Sequence, residues 1–373
     1  MRLHIAVYSG KDDGLGSEYF RVDEFQLPTF TLSFDKRNEL FMTGEEIPVS
    51  GKVASYSGHP LTGATLSVAV SSYGNVVKRL NPAMEADGKF DFSFKANDSG
   101  YYNVEVTVLD ATGETQSFST GRYVSSSFSI SSSIGNAADG TFELSGEGSQ
   151  VGRYTYRRTY YSSRCIVEDN VVNFTASAKN SGGNTVPMEL DWALVNEKGD
   201  TLLTGKADSG KAASADISSL KQGLYMLKFQ ATAKGYTAKN DYRFLKLDKD
   251  SKTLPEGISY IILPGKTELE GSEKIDFRLG SSDGDLWAVA SIFGKDYELL
   301  ETKAVKIAKG SLEHVAMSYK SAYPDAVAMQ TFFFKDGKQY CLTESQRGSS
   351  PLSLSAFSTA VSLRRRIRSS SSE

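Results

Sequence analysis

Residues 87–114 read DGKFDFSFKANDSGYYNVEVTVLDATGE. Phe90, Phe92 and Phe94 alternate with Asp91, Ser93 and Lys95; Val104, Val106 and Val108 alternate in the same way a few residues later. A period of two places each apolar set on one face of a strand. Asp87-Gly88 and Thr112-Gly113 bound the pair as turn signals. The same texture recurs along the chain: Leu66, Val68 and Val70; Met188, Leu190, Trp192 and Leu194; Ile275, Phe277 and Leu279, with further turn dipeptides at Lys198-Gly199 and Asp336-Gly337. No stretch of ten residues keeps a convincing 3.6-residue period. Residues 296–319 come nearest to a helix, but Gly310 interrupts them and they read as strands. The expectation is an all-β chain.

A coarse repeat lies over this texture. Three units open with a Gly- or acid-led turn and a strand: TGEEIPVSG at 43–51, VEDNVVNFT at 167–175 and EGSEKIDFR at 270–278. They close with SGYYNVEVTVLDATGE from 99, QGLYMLKFQATAKGY from 222 and, less cleanly, DAVAMQTFFFKDGKQ from 325. The openings are about 100–125 residues apart, the size of a β-sandwich rather than of a solenoid repeat. Sandwiches are therefore expected at 26–124, 125–250 and 251–346. Residues 1–25 hold one or two strands and no domain of their own. Residues 347–373 drop the alternation and become Ser- and Arg-rich, with four arginines after Gly348 against Glu373, a net +3. That stretch reads as a disordered tail.

The bulk numbers exclude several classes. The chain has 373 residues and is 39% hydrophobic, enough for ordinary small cores in two or three domains. Lys and Arg number 42 against 45 Asp and Glu, a net −3, so no global field draws it to nucleic acid or anionic membrane. No run of about 18 apolar residues is present to span a membrane. The N-terminus MRLHIAVYSGKDDG has no signal-peptide pattern. Two cysteines, Cys165 and Cys341, are too few for a disulfide framework, and both are expected to be free.

The candidate chemical groups are sparse. The three histidines are His4, His59 in the turn SGHPLTG, and His314. No Cys, His and carboxylate cluster has metal-ligand spacing, and no nucleophile elbow or phosphate loop occurs. The pairs Asp12-Asp13 and Glu45-Glu46 are adjacent, so on a strand they face opposite sides and form no catalytic pair. RYTYRRTYY at 153–161 puts Tyr154, Tyr156, Arg158 and Tyr160 on one face, either as a stacking platform for sugars or bases or as an edge strand. Asn97 and Asn173 head short glycosylation sequons. Arg164 gives Cys165 a weak case for thiol reactivity. These residues carry no catalytic, cofactor-binding or metal site, and the chain is expected not to be an enzyme.

Residues 18–121 resemble bacterial alpha-2-macroglobulin-like proteins, particularly the long ones of the Bacteroides group. FRVDEFQLPTFTLSF is similar to the junction at which one macroglobulin domain closes and the next begins: Val22, Asp23, Glu24, Phe25 and Pro28 match in kind, whereas Gln26 and Leu27 replace a basic pair. TGEEIPVSGKVASYSGHPLTGATLSVAV at 43–70, DGKFDFSFKA at 87–96 and VTVLDATGETQSFSTG at 106–121 resemble the following domain in order, and LGSSDGDLWAVASIF at 279–293 a later one. The resemblance implies tandem immunoglobulin-like or macroglobulin-type β-sandwiches. It implies a parent that is an endopeptidase inhibitor of the cell envelope (periplasm or cell surface), trapping proteases by conformational change. Residues 1–25 would then be the terminal strands of a truncated preceding sandwich, and this chain a scaffold fragment whose partners are the parent's remaining domains, with proteases as the parent's targets. Neither SRCIVED around Cys165 nor QYCLTES around Cys341 is a thioester motif, and no bait is identifiable. No cofactor is implied, and no nucleic-acid partner or direct membrane span. The alternative is a cell-surface adhesin or glycan-binding array of immunoglobulin-like domains, motivated by the strip at 153–161.

Overall fold

A computed structural model describes residues 2–9, 13–21, 28–145, 164–265, 268–269, 274–294, 298–320, 322–323, 326–335, 338–342 and 361–365. Every regular element among them is a β-strand, so the all-β expectation holds. The chain divides into two compact units: Met1–Ser127 with Asn180–Gly183, and Phe128–Lys179 with Asn184–Glu373.

The first unit begins with β1 (Arg2–Ser9) and β2 (Asp13–Arg21), which pair antiparallel with each other, Arg2 opposite Arg21. Of the junction stretch, residues 22–27 lie outside the described residues, and Pro28 stands exposed two positions before the next strand. Eight strands follow: β3 (Phe30–Phe34), β4 (Phe41–Met42), β5 (Glu46–Ser55), β6 (Thr65–Ser72), β7 (Asn75–Leu80), β8 (Lys89–Lys95), β9 (Gly100–Leu109) and β10 (Thr115–Ser125). They form a three-stranded sheet, β3-β5-β8, and a five-stranded sheet, β4-β10-β9-β6-β7. The alternation decides what lies between the sheets. Phe90 and Phe94 from one, and Val68, Val70, Val104, Val106 and Val108 from the other, are buried in a single cluster. Each such side chain contributes about 1.5–3 kcal/mol on burial.

Two local features show how the sequence permits this packing. Pro48 lies in β5, the middle strand of its sheet, where a missing N–H is normally costly. Here β3 covers only Gly51–Ser55 of β5, so Pro48 is laddered on one side alone, opposite Ser93. The stretch YSGHPLTGA carries the chain from β5 to the other sheet. Tyr56 N–H donates to the Thr29 carbonyl (3.2 Å), Ser55 N–H to the His59 carbonyl (2.9 Å), and Leu61 packs against the core.

The second unit holds two further pairs of sheets. In the first pair, β11 (Ser129–Ile134), β14 (Val171–Lys179) and β17 (Ala212–Asp216) face β13 (Arg164–Val167), β15 (Glu189–Asn196), β16 (Thr201–Asp208), β18 (Gly223–Ala233) and β19 (Tyr236–Lys246). Phe174 from the three-stranded sheet sits 5.4 Å, centroid to centroid, from both Trp192 and Phe229 of the five-stranded one.

In the second pair, β12 (Thr141–Leu144), β20 (Ile258–Pro264), β22 (Lys274–Gly280) and β25 (Leu312–Ser318) form one sheet. The other contains β21 (Glu268–Leu269), β23 (Leu286–Phe293), β24 (Leu299–Ile307), β26 (Ala326–Lys335), β27 (Lys338–Leu342) and β28 (Val361–Arg365). Their core includes Ile275, Phe277, Leu279, Ala288, Ile292 and Phe333. Residues 299–307 and 312–318, the part nearest to helical in pattern, are strands. Within the Ser- and Arg-rich C-terminal stretch, Val361–Arg365 is a strand that pairs antiparallel with β26; the rest of 347–373 lies outside the described residues.

Candidate functional site

The distinctive place in the second unit is built on β20, ISYIILP. Most strands here alternate, but this one carries three consecutive buried apolar residues, Ile261, Ile262 and Leu263, the pattern of a strand buried on both faces. On one side, Ile262 and Tyr260 join the core between β22 and β23, and the Tyr260 and Phe333 rings lie 5.0 Å apart. On the other side, Ile258, Ile261 and Leu263 pack with Ile166 of β13, Leu245 of β19, and Leu247 in a second buried cluster. Ile258 reaches the same face as Ile261 because the register with β12 slips there: Glu143 pairs with Tyr260, but Leu144 pairs with Ile258.

This second cluster is a seam. The outer face of the β13-β19 end of one sandwich is buried against the β12-β20 sheet of the next. The chain stitches the two: β11 belongs to the first, β12 to the second, and β13 returns to the first. Phe142 and Leu144 of β12 pack on the seam, and Ala138 N–H donates to the Ile166 carbonyl at 2.8 Å. Gly140 (φ 154°) permits the close approach, since a Cβ there would lie 2.7 Å from the Ile262 carbonyl oxygen.

Two polar ties rim the seam. Arg278 on β22 grips Glu168, which follows β13, through Nη1–Oε1 at 2.6 Å and Nη2–Oε2 at 2.7 Å. The second contact is the hydrogen bond and the first a close ionic approach, and at 15% and 22% exposure the pair is shielded from salt. The Asp283 carboxylate accepts from Lys335 Nζ (2.5 Å), Ser281 Oγ (2.8 Å) and Ser145 Oγ (2.6 Å), which fastens the end of β12. Lys335 is only 4% exposed and also reaches Ser259 Oγ at 2.9 Å. Burial by itself would raise the Asp283 pKa; the hydrogen bonds from Lys335, Ser145 and Ser281 outweigh it and hold the carboxyl below its ordinary 3.8. The Glu168–Arg278 pair lines a cleft of about 680 Å³, together with Lys249, Asp250, Lys274 and Asp276 among others. Alternation does not reveal residues 258–264; their signal in the sequence is the lack of it.

The residues singled out from the sequence are scattered. His59 sits in its turn, and His314 Nδ1 lies 3.5 Å from Asp276 Oδ2. His4 and Asp13 are on β1 and β2. Glu45 accepts from the Met42 N–H (2.9 Å), and Glu46 from Ser93 Oγ (3.1 Å). Asn97 and Asn173 are exposed. Cys165 is a free, buried thiol; desolvation raises its pKa to about 12, the opposite of an activated nucleophile. The strip 153–161 and Asp12 lie outside the described residues, and of Cys341 only the backbone, in β27, is described. Among the described residues no group of three or more His, Cys, Asp or Glu is placed to hold a metal ion. Among the described residues no helix is long and apolar enough to cross a membrane.

No protein-family model matches the chain, and no curated protein matches it by sequence. Among solved structures it is similar to a Salmonella alpha-2-macroglobulin mutant, at 11% identity over 99% of this chain and 25% of that one, with a TM-score of 0.32. It is also similar to native Escherichia coli alpha-2-macroglobulin, at 12% identity over 97% of this chain and 24% of that one, TM-score 0.31. The fibronectin(III)-like modules of Clostridium thermocellum CbhA align at 12% identity over 58% of this chain and 95% of theirs, TM-score 0.24. The chain thus spans about a quarter of the length of the two alpha-2-macroglobulins.

Proposed function

We propose that the chain is a structural scaffold segment of a bacterial alpha-2-macroglobulin-like endopeptidase inhibitor of the Bacteroides type, held in the cell envelope. In this reading the parent traps proteases by changing conformation, and these sandwiches carry that change without performing chemistry. The observation that supports it is the seam: two sandwiches share a buried cluster, and β12 crosses from the chain of the first into the sheet of the second. A string of adhesin modules on flexible linkers has no need of such a joint, and domains joined only by small polar contacts move independently. The strip that motivated the adhesin reading lies outside the described residues.

Trapping is tested by mixing the purified chain with several endopeptidases and assaying them on large and small substrates. The expected result is proteolysis with no protection of the protease from large inhibitors. Stable capture of active protease by this chain alone would overturn the scaffold-only role. Sequencing the flanking DNA tests the parent: the reading frame is expected to continue upstream through sandwich sequence to an export signal.

A further inference from the structure

Arg122 is an anomaly in the first unit. It lies on β10 opposite Tyr102, between Thr120 and Val124 on the strand face that turns to the core, and is only 6% exposed. A buried guanidinium is costly unless its donors are matched. Only one of its nitrogens is: Nη1 donates to Thr120 Oγ1 (3.0 Å) and to the Gly121 carbonyl (2.9 Å). Nε and Nη2 are buried without an acceptor. Those two N–H groups point in parallel from one edge of the guanidinium, the edge that receives both oxygens of a carboxylate. The bonds from Nη1 hold the plane fixed, so the unpaired edge is preorganised.

A second arginine adds to the demand for an anion. Arg37 lies in the irregular connection between β3 and β4, and its Nε is also buried without an acceptor. Its one carboxylate contact is long, Nη1 to Glu39 Oε1 at 3.5 Å, with Glu39 59% exposed. After burial, the like charge of Arg37 is the main influence depressing the Arg122 pKa. Three buried nitrogens on these two arginines lack an acceptor, and Glu39, whose charge partly offsets that of Arg37 at Arg122, is largely exposed and reaches Arg37 only at long range.

We propose that Arg122, assisted by Arg37, forms a binding site for a single carboxylate, which docks side-on against Nε and Nη2 of Arg122. The carboxylate comes from a small acid or from an acidic side chain of a polypeptide; both present the same two oxygens.

The test uses the full chain, labelled so that arginine Nε–Hε signals are seen by NMR, titrated with sodium acetate against sodium chloride at constant ionic strength. The expected result is a saturable shift of the Arg122 Nε–Hε signal, with an unfolding midpoint that rises with acetate. Arg122→Leu abolishes the acetate-dependent rise, Arg79→Gln on exposed β7 leaves it intact, and Glu39→Gln leaves the shift saturable. A blocked aspartyl peptide distinguishes the sources: saturation at lower concentration than acetate assigns a polypeptide carboxylate, and equal saturation a small acid. The proposal is overturned if acetate raises the midpoint of Arg122→Leu as much as that of the parent chain. It is equally overturned if the Arg122 signal ignores acetate, or responds only once Glu39 is replaced.

Discussion

Gly51 shows what a single atom decides. A Cβ at this position would lie 2.5 Å from the Ser33 carbonyl oxygen and 2.8 Å from the Phe90 ring, so β3, β5 and β8 come together only because the side chain is absent. Gly51→Ala is expected to cost about 1–3 kcal/mol, read as a lower urea midpoint, because backbone rather than a mobile side chain must give way. Cys165 is the opposite case, a reactive type made inert by its surroundings. With a thiol pKa near 12 it is expected to resist alkylation at neutral pH in the native chain and to react once the chain is unfolded, as peptide mapping would reveal. Asp283 carries a pH dependence. Its folded pKa lies below 3.8, so its ties to Lys335 and Ser145 are fully stabilising above the unfolded value and are lost as pH falls through the folded one. Asp283→Asn is expected to lower stability at neutral pH, by leaving the buried Lys335 ammonium with less than its full set of partners, and to flatten the decline below pH 3.8. An unchanged acid limb in urea melts would refute this assignment.

Among the elements, β20 and β12 matter most, and they differ in how readable they are. The consecutive apolar residues Ile261, Ile262 and Leu263 of β20 are visible in the sequence and predict burial on both faces, though not which neighbours supply it. β12 is four residues long, and nothing in Thr141–Leu144 says that it leaves the sandwich of β11 to pair with a strand more than a hundred residues later. Ile261→Ala is expected to cost about 2–5 kcal/mol. The more telling readout is hydrogen exchange, which should accelerate in 141–144 and 164–167 while the core around Phe174 stays protected. At the other extreme, β7 is a sheet edge with Val76 and Val77 about half exposed, at 50% and 51%. An apolar open edge invites pairing with another chain. Concentration-dependent association in sedimentation velocity is expected, and Val77→Lys should reduce it.

For the whole molecule, composition and alternation sufficed for the fold class. Phe90-Phe94, Val104-Val108 and Ile275-Leu279 all point inward as their period requires, because a strand has only two faces and water decides between them. Turn dipeptides located many of the strand ends, since Gly44, Gly88, Gly113 and Gly199 take positive φ that other residues resist. The chain by itself thus determined an all-β architecture and the facing of its residues. Only the tertiary structure decided that two sandwiches share a buried seam, that β12 crosses it, that Cys165 is sealed from solvent, and that Arg122 keeps an unfilled carboxylate edge. Facing is a local property, set by each residue and its near neighbours. Seams, crossings and orphaned donors depend on contacts between residues distant in sequence, and periodicity carries no record of those.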